Sequence, residues 1–331
     1  MSRTSRGGSR PDRRSGRRHP ASSDAPTLPV GEVPIDTGTA RVEQDPDHAD
    51  RVTLHVNGVP SSALDLADPG FLAFEYMQQM AAVLAGLPAG PLRVLHLGAA
   101  GCALARHVEH ERPDSRQLGV DVDARLLELV RTWFGLPRAP RLRLRADDAG
   151  HALASLPPES FDVVVRDVFA GDRTPDHLAD EAFAAAAHRV LRPGGVLLAN
   201  CADRPPLHLA RREVANLAEA FGSDALDGGR LGVVAEHAIL KGRRYGNVVL
   251  VAVRATTEDA PGSPADGPTG ATGPDATGPD VTGGAEAATV VARGDRSDVD
   301  LDDAALARRL RSLPVPARLL AGAELARFAG A

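Results

Sequence analysis

The stretch of sequence that decides the fold runs from Leu92 to Asp123. It reads L-R-V-L-H-L-G-A-A-G-C-A-L-A-R-H-V, then a polar turn, then Q-L-G-V-D-V-D. A short apolar run ends at Gly98, small residues continue to Ala103, an amphipathic segment follows, and a second apolar run ends at Asp121. This order predicts a strand, a tight turn, a helix and a second strand.

A unit of this kind can bind a nucleoside. Small residues let the turn after the first strand approach the ligand, and a carboxylate about 20 residues later can accept the ribose hydroxyls. Gly98 and Asp121 have this spacing, but Ala100 replaces the second glycine of the dinucleotide G-x-G-x-x-G turn. With Gly98, Ala100 and Cys102 at alternate positions, the turn is a weakened form of the G-x-G-x-G turn that S-adenosylmethionine folds use. The alternative interpretation is an ordinary turn of a parallel sheet followed by a solvated aspartate.

Apolar runs and helical periodicity alternate through the middle of the chain. Strands are predicted at Arg93–Leu97, Gln117–Val120, Arg141–Arg145, Asp162–Arg166, Val196–Asn200, Val233–Ala238 and Asn247–Val253. Helices are predicted at 103–111, 124–134, 177–190 and 206–221, with a short turn near 150–155. Strands that alternate with helices indicate an α/β fold with a doubly wound, Rossmann-like sheet of seven strands. The last two strands have no long helix between them, which predicts an antiparallel pair. This domain is predicted to span residues 91–255.

The segment before this domain divides into two predicted parts. Residues 1–48 are rich in Arg, Ser, Pro and Asp and lack clear periodicity, so we expect a disordered leader. Residues 49–90 are predicted to form a small extension, with a hairpin that turns at Asn57-Gly58 and a helix within Gly70–Leu87.

The segment after the domain also divides into two predicted parts. Residues 256–298 contain the repeats G-P-D-A-T and G-P-D-V-T and are predicted to be a flexible acidic linker. Residues 299–331 regain apolar periodicity, and we expect a helical segment that packs back on the sheet domain.

Charge and cysteine content indicate which partners and which cellular compartment suit the chain. The formal net charge is -6, and residues 1–20 hold seven Arg and one Asp, so the remainder of the 331 residues sums to -12. The basic leader could contact nucleic acid or anionic lipid, but without aromatic residues a solvated leader is the preferred interpretation. Two cysteines predict neither a disulfide framework nor a metal site. Because no signal peptide or apolar span is visible, we expect a cytoplasmic protein without membrane contact.

Carboxylates follow most of the predicted strands of the sheet. The residues at these ends are Gly98 to Cys102, Asp121 with Asp123, Asp147 with Asp148, Asp167 to Asp172, and Asn200 with Asp203. Ligands of open α/β sheets bind at this edge. We interpret Asp123 and Asp148 as helix caps. Asp167 could accept a proton from an attacking amine or hold a cationic substrate, with possible assistance from Asp172.

Seven segments, taken in order, resemble one known family. They are V-N-G-V-P-S-S, F-E-Y-M-Q-Q-M, V-L-H-L-G-A-A-G, G-V-D-V-D, D-V-V-V-R-D-V-F-A-G, V-L-R-P-G-G-V and G-R-R-Y-G-N-V-V-L-V-A. This order resembles the spermidine synthase (polyamine aminopropyltransferase) family, and in particular its divergent actinobacterial members. The resemblance covers residues 51–254 and extends to 301–328. It implies a class I S-adenosylmethionine methyltransferase fold and a role in polyamine biosynthesis.

The resemblance also implies roles for individual residues. The cofactor-binding positions would be Gly98, Ala99, Ala100, Gly101, Asp121 and Asp147. They would hold decarboxylated S-adenosylmethionine, with Asp121 on the ribose and Asp147 near the adenine amine. Asp167 would be the catalytic base, and the acceptor amine would lie near Glu75 and Tyr76. The family also implies a possible homodimer.

Two family carboxylates are replaced in this chain. Gly101 stands where polyamine-forming members have an aspartate that grips the aminopropyl ammonium, and Ala170 replaces the second aspartate of D-x-x-D. Three hypotheses follow from this pattern. The first is aminopropyl transfer from the decarboxylated cofactor, the second is methyl transfer from intact S-adenosylmethionine to another small molecule, and the third is a catalytically inactive binding protein.

Overall fold

A computed structural model describes residues 28–171, 173–222, 224–256 and 299–330. The strands are β1 (Glu32–Ile35), β2 (Gly38–Gln44), β3 (Arg51–Val56), β4 (Val59–Asp65), β5 (Arg93–Leu97), β6 (Arg116–Asp121), β7 (Leu142–Ala146), β8 (Phe161–Arg166), β9 (Leu191–Asp203), β10 (Leu231–Glu236), β11 (Gly246–Val253) and β12 (Ala317–Ala321). The helices are α1 (Glu75–Leu84), α2 (Ala103–Glu111), α3 (Ala124–Trp133), α4 (Ala149–Ser155), α5 (Glu181–Val190), α6 (His208–Phe221), α7 (His237–Leu240), α8 (Ala304–Arg311) and α9 (Gly322–Ala329).

The large sheet confirms the predicted α/β class. Its strand order is β12-β10-β11-β9-β8-β5-β6-β7. The strands from β9 to β7 pair in parallel, whereas β9, β11, β10 and β12 pair antiparallel. Every residue of β8 is buried, as expected for a central strand covered on both faces. The topology is a Rossmann-like, class I methyltransferase sheet that ends in the predicted antiparallel strands.

The sheet has eight strands, so the predicted number of seven is wrong. The additional strand, β12, lies in the segment that we expected to be helical, between α8 and α9. It pairs antiparallel with the outer edge of β10, with Leu320 opposite Val233. The sequence A-R-L-L-A suits a helix as well as a strand, and the free hydrogen-bonding edge of β10 decides its conformation.

The predicted disorder is wrong for the part of the leader that contains β1 and β2. These strands join β3 and β4 in a four-stranded antiparallel sheet, where a two-stranded hairpin was expected. Ala40 and Leu54 are completely buried there. Alternation over so few residues is a weak signal, and the stability of β1 and β2 comes from pairing with the adjacent hairpin. Residues 1–27 lie outside the described part of the chain.

The small sheet is attached to the large one at two points beside the predicted ligand edge. The β1–β2 turn reaches the start of α3, where the backbone N–H and hydroxyl of Thr37 donate to Asp123 Oδ2 at 2.7 and 2.8 Å. On β4, the Ser62 hydroxyl accepts the Gly101 N–H at 3.0 Å. These contacts place the N-terminal sheet against the turn after β5.

The described C-terminal segment packs on both faces of the large sheet. Leu306 and Leu310 of α8 belong to the core that includes α1, while Leu325 and Phe328 of α9 belong to the core on the opposite face. The predicted linker, residues 256–298, lies outside the described residues except for Thr256. No helix in the described ranges is long and apolar enough to cross a membrane.

Candidate active site at the carboxyl edge of the large sheet

The turn after β5 has the backbone of a G-x-G-x-G turn, although only its first glycine is present. Gly98, Ala100 and Cys102 all have positive φ, at 83°, 36° and 59°. A Cβ atom on Gly98 would lie 2.2 Å from the carbonyl oxygen of Asp167, so this position requires glycine. Ala100 and Cys102 adopt the left-handed region despite their side chains, which strains the backbone at the ligand edge.

All five backbone N–H groups of this turn donate to acceptors within the protein. The N–H groups of Gly98 and Ala99 donate to Val120 O, and that of Cys102 donates to Ala99 O. The other two N–H groups donate to side chains: Ala100 N–H to Asp121 Oδ2 at 2.9 Å, and Gly101 N–H to Ser62 Oγ. Every N–H group of the turn therefore already has an acceptor, and the turn offers an anionic ligand no unused backbone donor.

Asp121 lies at the end of β6, directly beside the turn. Its two carboxylate oxygens accept the N–H groups of Ala100 and Asp123, at 2.9 and 3.1 Å. Burial raises the pKa of Asp121, while these backbone hydrogen bonds oppose the shift. An ionised carboxylate has about four lone-pair sites, so Asp121 keeps acceptor capacity for a ligand.

Asp147 and Asp148, at the end of β7, have different surroundings. Asp147 accepts hydrogen bonds from Arg145 Nη2 and from His151 Nδ1, the latter at 2.7 Å, and these partners lower its pKa. Asp148 caps α4 by accepting the His151 N–H at 2.9 Å. Asp123 caps α3 in the same way through Leu126 N–H. The interpretation of Asp123 and Asp148 as helix caps is confirmed.

Asp167 follows β8 at the centre of the sheet and is held by two uncharged donors. The Tyr76 hydroxyl donates to Oδ2 at 2.8 Å, and Asn200 Nδ2 donates to Oδ1 at 2.9 Å. Burial raises the pKa of Asp167, and the two hydrogen bonds together with the nearby Arg166 charge oppose this shift. Burial and the Asp167 charge raise the pKa of Tyr76 well above its ordinary value, so Tyr76 is the proton donor of the pair.

The structure thus brings Tyr76, Asp167, Asp121 and the turn to one edge of the sheet. Glu75 is exposed at the start of α1 and takes no part in the hydrogen bonds around Asp167. Asp172 lies outside the described residues. Sequence reasoning noted Asn200 as a strand-end residue without giving it a role, whereas β9 continues to Asp203. It quoted Ser62 only as part of the segment V-N-G-V-P-S-S and gave it no role. Nothing local in the sequence marks Ser62, because its contact with Gly101 depends on how two sheets pack.

A separate cavity of about 720 Å³ lies between α1, α2 and α8. It is lined by the side of α1 that carries Gln78 and Ala82, whereas Tyr76 and Met80 lie in the core on the other side. None of the predicted site residues lines it. Within the described ranges, no cluster of three or more His, Cys, Asp or Glu side chains could hold a metal ion.

Comparisons with known proteins agree with this architecture. Residues 94–195 match the family model described as a methyltransferase domain. The chain is also similar to the crystal structure of a probable spermidine synthase from Corynebacterium glutamicum. The sequence identity is 31%, the TM-score is 0.72, and the alignment covers 92% of this chain and 94% of that protein.

Curated relatives match a smaller part of the chain. A polyamine aminopropyltransferase of Chromobacterium violaceum is 28% identical over 139 residues, which are 42% of this chain and 53% of that protein. The mouse eEF1A lysine and N-terminal methyltransferase is 29% identical over 169 residues, 46% of this chain and 24% of that protein. The chain thus spans about half the length of the aminopropyltransferase. Since the structural match covers nearly all of both chains at 31% identity, the chain belongs to the spermidine synthase-like family, with the class I S-adenosylmethionine methyltransferase fold.

Proposed function

We propose that this protein transfers the aminopropyl group of decarboxylated S-adenosylmethionine to a small-molecule amine. The observation that carries the proposal is the pattern of charge and hydrogen bonding at the carboxyl edge of the sheet. Asp121 and Asp167 accept hydrogen bonds from uncharged donors, and the turn between them has no unused backbone N–H. Such a site favours a cationic ligand and disfavours an anionic one.

The residues present fit the nucleoside part of this ligand. Asp121 keeps acceptor capacity for the ribose hydroxyls, and Gly98 lets the backbone approach closely. Asp147 would face the adenine amine while keeping its contacts with Arg145 and His151. The ligand supplies an electrophilic carbon next to its sulfonium sulfur, and the protein supplies position and charge.

The decarboxylated and the intact form of the ligand differ in the amino-acid tail bonded to sulfur. Intact S-adenosylmethionine carries a carboxylate, which would need a cation or free N–H groups near the turn. Instead, the N–H groups of residues 98–102 all donate to acceptors within the protein, and the neighbouring side chains Asp121 and Asp167 are acidic. Both forms carry an ammonium on the end of this tail, but the decarboxylated form has hydrogen where the intact form has its carboxylate. The two aspartates would therefore attract its ammonium without repelling a carboxylate.

Asp167 would act as the base at the acceptor amine. Its carboxylate takes a proton from the acceptor's ammonium group, and the lone pair of the resulting neutral amine attacks the aminopropyl methylene carbon bonded to sulfur. The new C–N bond forms as the C–S bond breaks, and its electron pair stays on sulfur, releasing neutral methylthioadenosine. Burial raises the pKa of Asp167, which suits a group that must accept a proton. The roles of Glu75 and Asp172 in amine binding stay predictions.

Methyl transfer to an amine is the second candidate, and one observation favours it. Gly101 is covered by Ser62, and a Cβ atom at residue 101 would lie 2.6 Å from Ser62 Cβ. A carboxylate to grip an aminopropyl ammonium therefore has no room at this position in the present packing. The eEF1A methyltransferase relative acts, by its name, on lysine and N-terminal groups, so the acceptor is an amine under both candidates.

Parallel calorimetric titrations with S-adenosylmethionine, its decarboxylated form and methylthioadenosine test the proposal. We expect the decarboxylated form to bind more tightly than the intact one. The opposite preference would favour methyl transfer, and no binding of any of the three would refute an S-adenosyl transferase.

An amine screen with product detection then tests turnover. Asp167→Asn should abolish turnover and weaken donor binding without abolishing it, because Asp121 remains. The matched control Asp50→Asn, at an exposed position in the turn between β2 and β3, should change neither. Donor binding without turnover for any amine would identify an inactive binding protein. The predicted homodimer and cytoplasmic location stay predictions.

A further inference from the structure

A buried arginine stands directly before Asp167 in the central strand. Arg166 is 0% exposed and ends the otherwise apolar run V-V-V on β8. A charge is costly to bury unless it is paired and hydrogen-bonded. Its presence at this position therefore calls for a physical account beyond core packing.

The Arg166 guanidinium joins four elements beneath the site. Nη1 donates to Leu178 O at 2.8 Å, in the segment after β8, and to the carboxylate of Glu213 on α6. Nη2 donates to Asn200 O, within β9, at 2.7 Å. The guanidinium also lies 5.6 Å from the ring centre of Phe183 on α5.

Asn200 connects this cluster to the Asp167 carboxylate. It is 1% exposed, its backbone oxygen is held by Arg166, and its side-chain Nδ2 donates to Asp167 Oδ1 at 2.9 Å. Its Oδ1 atom has no hydrogen-bond donor within the described residues. An amide with one buried atom unsatisfied is worse for stability than an apolar side chain of the same shape, so core packing alone does not explain Asn200.

Stability does not explain the Arg166–Glu213 pair either. Replacing a buried ion pair with apolar residues of similar volume is often neutral or stabilising. A guanidinium fork fixed by three acceptors does, however, give one defined position to the groups it contacts. Here one of those groups is the backbone from which the Asn200 side chain reaches Asp167.

We propose that Arg166 and Asn200 are positioning residues, which act through Asn200 Nδ2 to fix the Asp167 carboxylate for proton transfer. Asp167 then has one fixed donor on each oxygen, Asn200 from β9 and Tyr76 from α1. A catalytic role of Asp167 rests on the proposed function. Control of the orientation and ionisation of Asp167 by Arg166 and Asn200 is independent of that function.

The groups around Asp167 predict the direction in which the pKa of Asp167 changes when the Asn200 hydrogen bond is lost. Burial raises the pKa of Asp167, whereas hydrogen bonds from Asn200 and Tyr76 and the charge of Arg166 lower it. Removing the Asn200 donor therefore raises the pKa of Asp167 further. The acid limb of a pH–rate profile should move to higher pH, because the base is protonated over a wider range.

The test compares Asn200→Leu with the matched variant Asn216→Leu. Asn216 lies on α6 and donates to Ala179 O at 2.8 Å, whereas the side-chain donors to Asp167 are Tyr76 and Asn200. The titration of Asp167 is followed by carboxyl ¹³C NMR of the full chain labelled at aspartate, with Asp167→Asn used to assign the signal. We expect the Asp167 midpoint to move to higher pH in Asn200→Leu and to stay at the wild-type value in Asn216→Leu. Equal midpoints in all three proteins would overturn the proposal.

A second variant covers the case in which Asn200→Leu does not fold. Arg166→Met with Glu213→Leu removes both buried charges together and leaves no unpaired partner. We expect a folded protein in which the Asp167 midpoint moves to higher pH. Where turnover is measurable, kcat should fall about tenfold with little change in donor KM, since one hydrogen bond to a charged group is weakened. A wild-type midpoint in this variant would overturn the role of Arg166.

The two failures are distinguishable. If no S-adenosyl compound binds the wild-type protein, the proposed function fails, and the NMR titration still decides the role of Arg166 and Asn200. If binding and turnover are found but the Asp167 midpoint is unmoved in both variants, only the positioning proposal fails.

Discussion

The hydroxyl of Tyr76 on α1 donates a 2.8 Å hydrogen bond to Oδ2 of Asp167, 91 residues further along the chain. This bond connects the helix that follows the N-terminal sheet to the centre of the large sheet. It also engages one of the two oxygens of the proposed base. The ring of Tyr76 is buried and stacks on Phe74, with ring centres 5.9 Å apart.

Tyr76→Phe should therefore keep the packing and lose the hydrogen bond. Since that bond lowers the pKa of Asp167, its loss raises the pKa, and the acid limb of kcat/KM should move to higher pH. We expect roughly a tenfold loss of kcat/KM at neutral pH, which is the usual effect of one hydrogen bond to a charged group. Phe74→Leu, which removes the stacked ring but retains the hydroxyl, is the control. An unshifted profile in Tyr76→Phe would contradict the assignment.

Ala100→Gly should stabilise the protein. Ala100 has φ of 36°, in the region that costs a residue with a Cβ atom about 1–2 kcal/mol, whereas the added flexibility of glycine costs about 0.5–1 kcal/mol. We expect a net gain of about 0.5–1 kcal/mol in the free energy of unfolding, measured by chemical denaturation. Ala105→Gly, in the interior of α2, should instead lose about 1 kcal/mol. A loss in both variants would show that the turn is unstrained.

The effect of Gly101→Asp on the free energy of unfolding should depend strongly on Ser62. A Cβ atom at residue 101 would lie 2.6 Å from Ser62 Cβ and 2.9 Å from its Oγ, so the single variant forces β4 away from the turn. We expect a loss of about 1–3 kcal/mol, as is typical of overpacking. Ser62→Gly removes both contacts, so the double variant should recover at least half of that loss.

The Gly101→Asp, Ser62→Gly double variant also tests the donor. An added carboxylate beside the turn should strengthen binding of the decarboxylated donor and weaken binding of intact S-adenosylmethionine. Calorimetric titration of both ligands gives the two changes. Equal changes for both would mean that the donor tail does not lie near residue 101.

Thr37→Val tests the attachment of the N-terminal sheet. Thr37 donates its backbone N–H and its hydroxyl to Asp123 Oδ2, and the variant retains only the N–H. We expect a loss of about 1–2 kcal/mol in the free energy of unfolding at pH 7, since the acceptor is charged. The control is Thr39→Val in the same hairpin, where the contact to Asn57 uses the backbone N–H and is unaffected.

The Thr37→Val difference should also depend on pH. Burial would raise the pKa of Asp123, but hydrogen bonds from Leu126 and Thr37 lower it overall. A carboxylate with a depressed folded-state pKa contributes stability above its unfolded pKa and loses it as pH falls through the folded value. The difference between wild type and Thr37→Val should thus shrink in acid. A difference that is constant from pH 7 to pH 2 would contradict the charged contact.

Local sequence patterns were sufficient to predict the strands at the centre of the large sheet. The strand predicted at Arg93–Leu97 has those limits in the structure, and the strand predicted at Asp162–Arg166 differs from β8 by one residue. Apolar runs bounded by turn residues specify such strands because both faces are buried. The caps at Asp123 and Asp148 follow from equally local chemistry, a side-chain oxygen beside the first free N–H groups of a helix.

The sequence alone thus determined the Rossmann-like core, the positions of its central strands along the chain and the carboxylates that follow them, because periodicity and capping act over a few residues. Tertiary structure decided the rest: the edge pairings of β1, β2 and β12, and the contacts Ser62–Gly101, Tyr76–Asp167 and Arg166–Asn200. Each of these joins segments that are distant in the chain. Their free energy comes from backbone groups and side chains that meet only after the sheets have packed, so no local pattern encodes them.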